Sequence, residues 1–265
     1  MSTAAFDASG AIDARMAELL ELVKQAKQID GTNDAARDAI CRSCCVMLSS
    51  HIEGGITDFC TSAVRDFNYF VNKFSDMPTQ LKRSFCQKLA YYEGVPERSI
   101  NSRVDQLILF FDANSVPIDM EAISYIETPY KNPKPSSIDK PFEKVGVPGV
   151  MDALGSEFLL QAFSGNEGKR YLTLRKLKSF RANLFHFPYK KLDSNIFADA
   201  KAKKGKKAEN MWHTFLEEVV SRRNSIAHGK TIENPTTISS LEEDIFKAEV
   251  FLRASCTYFF SSIKS

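Results

Sequence analysis

Apolar side chains along this chain recur at steps of three and four, the spacing of one face of an α-helix. Ile12, Met16, Leu19, Leu20, Val23 and Ala26 predict a helix from Ile12 to Ile29, ended by Gly31. Thr32 or Asn33 caps a second, much longer stretch carrying Ala36, Ile40, Cys44, Met47, Leu48, Ile52, Ile56, Phe59, Ala63, Phe67 and Phe70. Gly54-Gly55 interrupts it. Each glycine costs roughly 1 kcal/mol of helix propensity relative to Ala, so the pair predicts a kink or a close approach by another backbone. Shorter helices are predicted over Thr79 to Tyr92 and Arg98 to Phe111.

Pro129, Pro133, Pro135, Pro141 and Pro148 crowd the next segment, which predicts neither helix nor central strand but an extended excursion from the core. A helix resumes over Val150 to Phe163, while Tyr171-Leu-Thr-Leu and Asn183-Leu-Phe-His-Phe fit short strands or more helix. Glu209 to Ala227 then places Trp212, Phe215, Leu216, Val219, Val220, Ile226 and Ala227 on a helical stripe, and Gly229 stops it in the left-handed conformation. Ser239 or Ser240, with Glu242 and Glu243 in the first turn, caps a last helix reaching Ile263. No internal repeat or alternating-strand pattern occurs, so the expected architecture is all-α. It is one helical domain over residues 1–265, a bundle with an insertion spanning 127–207 between the early and late helices.

A hydrophobic content of 43% with 11% aromatic residues in 265 supplies a packed core and argues against disorder. The first twenty residues lack a basic start followed by an apolar run, and nowhere do about eighteen apolar residues run unbroken. Neither a secretory signal nor a membrane span is expected, and the expected location is the cytoplasm. Cys41, Cys44, Cys45, Cys60, Cys86 and Cys256 fall mostly inside helix-like stretches and read as reduced core thiols. Cys41-x-x-Cys44 is also half of a zinc-ligand spacing, but no second Cys or His pair lies nearby, so neither a metal nor another cofactor is expected.

The net charge of +2 conceals an asymmetry. From Gly165 to Lys207 thirteen Lys and Arg face three acidic residues, a local charge of +10 that leaves −8 for the rest of the chain. Concentrated positive potential suits a polyanion-binding surface; a solvated lysine loop is the other reading. Lys201, Lys203, Lys204, Lys206 and Lys207, with Arg222, are the candidate cations of such a surface. Tyr171, Phe180, Phe185, Phe187 and Tyr189 interleave with the basic residues, and unpaired bases stack on such rings, though several of these must instead be core.

Arg222-Arg223-Asn224-Ser225-Ile226-Ala227-His228-Gly229 is the densest polar cluster on an apolar helix. A plain helix end accounts for part of it, because cations there complement the negative end of the dipole. Asn224, however, is a poor mid-helix residue whose side chain competes for backbone bonds, and it sits four residues before His228 on the same face. Histidine exchanges protons near neutrality and arginine grips phosphate with two parallel hydrogen bonds, the pair that RNA cleavage needs.

Arg223-Asn-Ser-Ile-Ala-His228 resembles the Arg-x4-His signature of the HEPN superfamily, often written Arg-Asn-x-x-x-His. Ser50-His-Ile-Glu-Gly-Gly-Ile-Thr-Asp58 resembles the early long helix of the larger HEPN-like nucleases of bacterial toxin-antitoxin and phage-defence loci. The resemblance covers residues 12–75 and 208–263 and implies a HEPN-like bundle that cuts RNA without a metal. In that mechanism the 2′-hydroxyl attacks the adjacent phosphate, His228 handles a proton, Arg223 stabilises the charge on the phosphorane and Asn224 orients either group. Arg223 and His228 are five steps apart, about 140° around a helix, so the family's habit of pairing two copies implies a homodimer. A cognate antitoxin or defence partner protein is implied as well.

Glu53 on the long helix is the further candidate the resemblance implies; an ordinary solvent-facing glutamate is its alternative. His51 projects from the opposite side of that helix and is expected to pack. His186 and His213 show no acidic or nucleophilic neighbour at useful spacing and read as surface or core fillers. Two further readings stand beside the nuclease. One is a non-catalytic HEPN-type module binding a nucleotide or partner protein. The other is a nucleic-acid-binding regulator driven by the basic segment, which no helix-turn-helix, zinc-finger or RNA-recognition signature supports.

Overall fold

A computed structural model describes residues 2–29, 33–71, 73–91, 96–114, 134–192, 196–197, 211–229 and 236–263. The described residues are all-α: α1 (Ala4–Gln28), α2 (Asp34–Phe70), α3 (Thr79–Ala90), α4 (Glu97–Asn114), α5 (Pro135–Lys144), α6 (Val150–Ala153), α7 (Glu157–Leu160), α8 (Glu167–Ser179), α9 (Met211–Ala227) and α10 (Ile238–Ser262), with no strand among them. None of these helices is long and apolar enough to cross a membrane.

Three long helices make the centre. Side-chain contacts pair Ala4 with Asp66, Arg15 with Asp58, His51 with Glu18 and Cys44 with Leu19, so α1 and α2 run antiparallel. Asp13 meets Arg253 and Lys27 meets Glu242, so α10 runs antiparallel to α1 and parallel to α2. Thr3 caps α1 by accepting from Phe6 N–H, and its own hydroxyl donates to the Leu184 carbonyl. The buried Asp66 carboxylate accepts from Ala4 N–H at 2.7 Å, Ala5 N–H at 2.9 Å and the Tyr189 hydroxyl at 2.8 Å. It thereby fixes the start of α1 against α2.

α2 runs unbroken through Gly54 and Gly55 for 37 residues. The glycines mark close approach by side chains, not a kink: a Cβ at Gly54 would lie 2.9 Å from the Arg15 guanidinium, and one at Gly55 only 2.7 Å from Leu252. α1 begins two turns earlier than the periodicity indicated, because Ala5, Ala8 and Ser9 are small residues buried by close packing. α10 is capped by Thr237, which accepts from Ser240 N–H, in place of Ser239 or Ser240.

The expectation of no helix between Pro129 and Pro148 fails over Pro135–Lys144. Proline at the first helical position has no N–H to lose, which suits Pro135. Pro141 does remove a rung of the ladder, and burial of Ile138 and Phe142 holds the helix together around it. Phe142 meets Phe259 of α10 at 5.0 Å between ring centres. Pro129 and Pro133 lie outside the described residues. The single helix expected over Val150 to Phe163 is two short ones and a 3-10 turn, because Ser156 caps a new start at Glu157. Tyr171 to Leu174 belongs to α8.

All six cysteines are buried. Burial pushes the Cys44 and Cys256 thiols up to about 12 and Cys86 to about 11. The native protein should therefore resist a thiol-specific reagent that titrates six groups once urea unfolds it. Asp66→Ala leaves three donors, two of them buried, without an acceptor and should cost about 3 kcal/mol of unfolding free energy in urea titrations, with Asp66→Asn costing less.

Candidate functional site

α9 carries two faces. Trp212, Phe215, Leu216, Val219 and Val220 are buried, and Trp212 donates from its indole N–H to the Leu154 carbonyl at 2.9 Å. At roughly 100° per residue, His213, Glu217, Ser221, Asn224, Ser225 and His228 fall together on the adjoining side. They line a groove of about 660 Å³, closed on its other side by Lys134, Pro135 and Ser136 at the start of α5. That volume lies within the range of ordinary ligand clefts.

His228 is exposed in this groove, one residue past the end of α9. Its backbone N–H donates to the Asn224 carbonyl at 3.0 Å, and Gly229 adopts the left-handed conformation at φ 64°. The left-handed turn is the one expected of Gly229.

Arg223 is not among the groove-lining residues. It continues the core-facing stripe of α9 and is half-buried beside Glu53 of α2. Burial pushes the Glu53 carboxyl above its ordinary range, and the Arg223 cation draws it part of the way back. Arg223 also donates to the Asn224 side-chain carbonyl at 3.1 Å, so Asn224 joins the guanidinium on one side of the helix to the groove on the other.

Arg222 is committed elsewhere. Its guanidinium lies 2.6 Å from the buried Asp244 carboxylate of α10 and donates to the Thr236 hydroxyl, which makes it a structural cation and not an open phosphate contact. Lys201, Lys203, Lys204, Lys206 and Lys207 lie outside the described residues. Of the basic-region aromatics, Phe180 and Tyr189 are buried in the core, whereas Tyr171 and Phe185 are exposed. His186 is exposed and stacks edge-on with Phe185.

His213 was expected to lack an acidic neighbour, but Glu217 follows one turn later on the same face, and both line the groove. The signal was present as the run of polar residues at 213, 217, 221, 224 and 228. Lys134 and Ser136 had no signal, because the segment before Lys144 read as non-helical.

His51 packs, as expected, between α1 and α2: its Nε2 lies 3.0 Å from Glu18 and its Nδ1 3.3 Å from Arg15. Burial, and then the Arg15 cation, push its pKa below the ordinary histidine value. Among the described residues no group of three His, Cys, Asp or Glu side chains is placed to hold a metal ion. No family model, no curated protein and no solved structure matches the chain.

The His51 shift carries a sign that can be measured. As pH falls through about 6.5, the unfolded chain takes up a proton that the folded chain resists, so stability falls with it. His51→Gln should flatten that part of a stability-versus-pH profile recorded by thermal melting.

Proposed function

We propose that the chain is a metal-independent endoribonuclease of the HEPN type, acting in the cytoplasm as a toxin or phage-defence effector. One observation carries the reading: His228 stands exposed in a groove beside Asn224, and Asn224 is in turn hydrogen-bonded to Arg223. In the proposed reaction the ribose 2′-oxygen bonds to the adjacent phosphorus as the bond from phosphorus to the 5′-oxygen breaks. The proton lost by the 2′-hydroxyl is balanced by one gained at the leaving oxygen, with His228 taking or giving it. Arg223 stabilises the phosphorane charge, and dependence on the 2′-hydroxyl confines cleavage to RNA.

Arg223 points away from the groove that holds His228, which is why the proposal includes a twofold homodimer. Pairing two copies brings two sets of the motif into one cleft. A cognate antitoxin or a defence partner protein is the proposed regulator of that cleft.

The position of Arg223 also favours a second reading, a non-catalytic module that binds a nucleotide or a partner protein. A guanidinium set between Glu53 and Asn224 is held as structural cations are held. One assay separates the two. Purified native chain and His228→Ala are incubated with total RNA in excess EDTA, and the variant is expected to cut at least roughly 100-fold more slowly. Equal cutting by both removes His228 from the mechanism, cutting that stops with chelator indicates a metal nuclease, and no cutting by the native chain favours the binding module.

A further inference from the structure

One end of the bundle carries aromatic rings that the core does not enclose. α1 starts there, α2 and α10 end there, and the segment after α8 crosses between them, its Tyr189 bonded to Asp66 and packed on Phe260. Tyr69 is 64% exposed, Phe185 40% and Phe70 36%. A cluster of exposed rings marks a contact surface. Phe70 lies flat on Phe187 at 5.1 Å, Tyr69 is set across Phe70 at 4.8 Å, and Phe185 meets Phe6 at 5.2 Å. Cations border these rings. Arg65 is one turn before Tyr69 on α2, Lys73 follows Phe70 by three residues, and Lys190 and Lys191 follow Tyr189; all four are exposed. Asp7, exposed next to Phe6, is an acid at the edge of the patch.

We propose that this end of the bundle seats on an anionic lipid bilayer, with Tyr69, Phe70 and Phe185 in the interfacial layer and Arg65, Lys73, Lys190 and Lys191 against the lipid phosphates. Aromatic side chains settle where hydrocarbon meets headgroups, and Lys and Arg carry their charges past them on long apolar stems. The leaflet that faces the cytoplasm is negatively charged, and each cation close to it strengthens binding by roughly fivefold. Contact with one leaflet needs no spanning helix. A polynucleotide fits less well, because base stacking needs open ring faces and these rings are packed against one another. Tyr69 lies sixteen residues beyond Glu53 on α2, about 24 Å at roughly 1.5 Å per residue. The patch is therefore separate from the Arg223 region, and the proposal stands apart from the ribonuclease reading.

The full chain is sedimented at low salt with vesicles of phosphatidylcholine alone and of phosphatidylcholine with phosphatidylserine. Binding is expected to the anionic vesicles only, and should weaken as salt rises. Lys190→Ala combined with Lys191→Ala should weaken it about tenfold or more. Tyr69→Ser should weaken it severalfold with the salt dependence unchanged. Tyr69→Trp adds an exposed indole to a chain whose one tryptophan, Trp212, is buried, so its emission should shift to the blue on anionic vesicles. No binding to anionic vesicles overturns the proposal, as do full binding by Tyr69→Ser and an unshifted Tyr69→Trp. Self-association that Tyr69→Ser abolishes, without vesicle binding, assigns the patch to a second copy. RNA binding that the lysine variant abolishes, without vesicle binding, assigns it to a polynucleotide, and either result overturns the proposal. Thermal melting of each variant identifies misfolding, and the exposed lysine pair carries the test where an aromatic variant fails to fold.

Discussion

Three donors converge on the carboxylate of Asp66: the N–H groups that open α1 and the hydroxyl of Tyr189. A buried carboxylate persists only when its lone pairs are filled, so the start of α1, the far part of α2 and the segment after the basic helix come together as a unit. With Ala4 set opposite Asp66, the antiparallel register brings Arg15 onto Gly54 and Glu18 to His51. Gly55 then admits Leu252, and α10 closes the third side of the bundle. Everything that touches α2 inherits its position from that register, α9 included.

α9 meets α2 with a buried aromatic and aliphatic stripe and carries its polar residues on the adjoining side. The two ends of the Arg-Asn-x-x-x-His pattern divide between these sides. Arg223 follows the buried stripe to Glu53, and His228 follows the polar stripe into the groove. A six-residue pattern that reads as one cluster in sequence is thus divided between two sides of α9 and bridged by the amide of Asn224.

The helices were largely legible because each buries a stripe at steps of three and four; α9 and α10 were readable almost residue by residue, whereas the glycine pair suggested an interruption that α2 does not have. α5 was not. Proline rules describe the backbone alone, whereas Ile138 and Phe142 supply burial that outweighs one missing hydrogen bond. The start of α1 was hidden for the opposite reason: Ala5, Ala8 and Ser9 bury little surface each, so their packing leaves no hydrophobic signature. In the site, the pattern drew attention to Arg223 and His228, but only the structure shows Arg222 tied to Asp244 and His213 sharing a groove with His228. Each of those relations depends on which way a helix face turns, a quantity that spacing within eight residues does not contain.

The wall of the groove opposite α9 is the first turn of α5, whose own hydrogen-bond ladder lacks the rung at Pro141. That wall is consequently located by its side-chain anchorage, above all where Phe142 rests on Phe259 in the middle of the bundle. The gap between the walls is a dimension fixed from inside. Repacking near Phe259 would widen or narrow the cleft without altering any residue that faces it, and aperture and interior density become a single heritable trait.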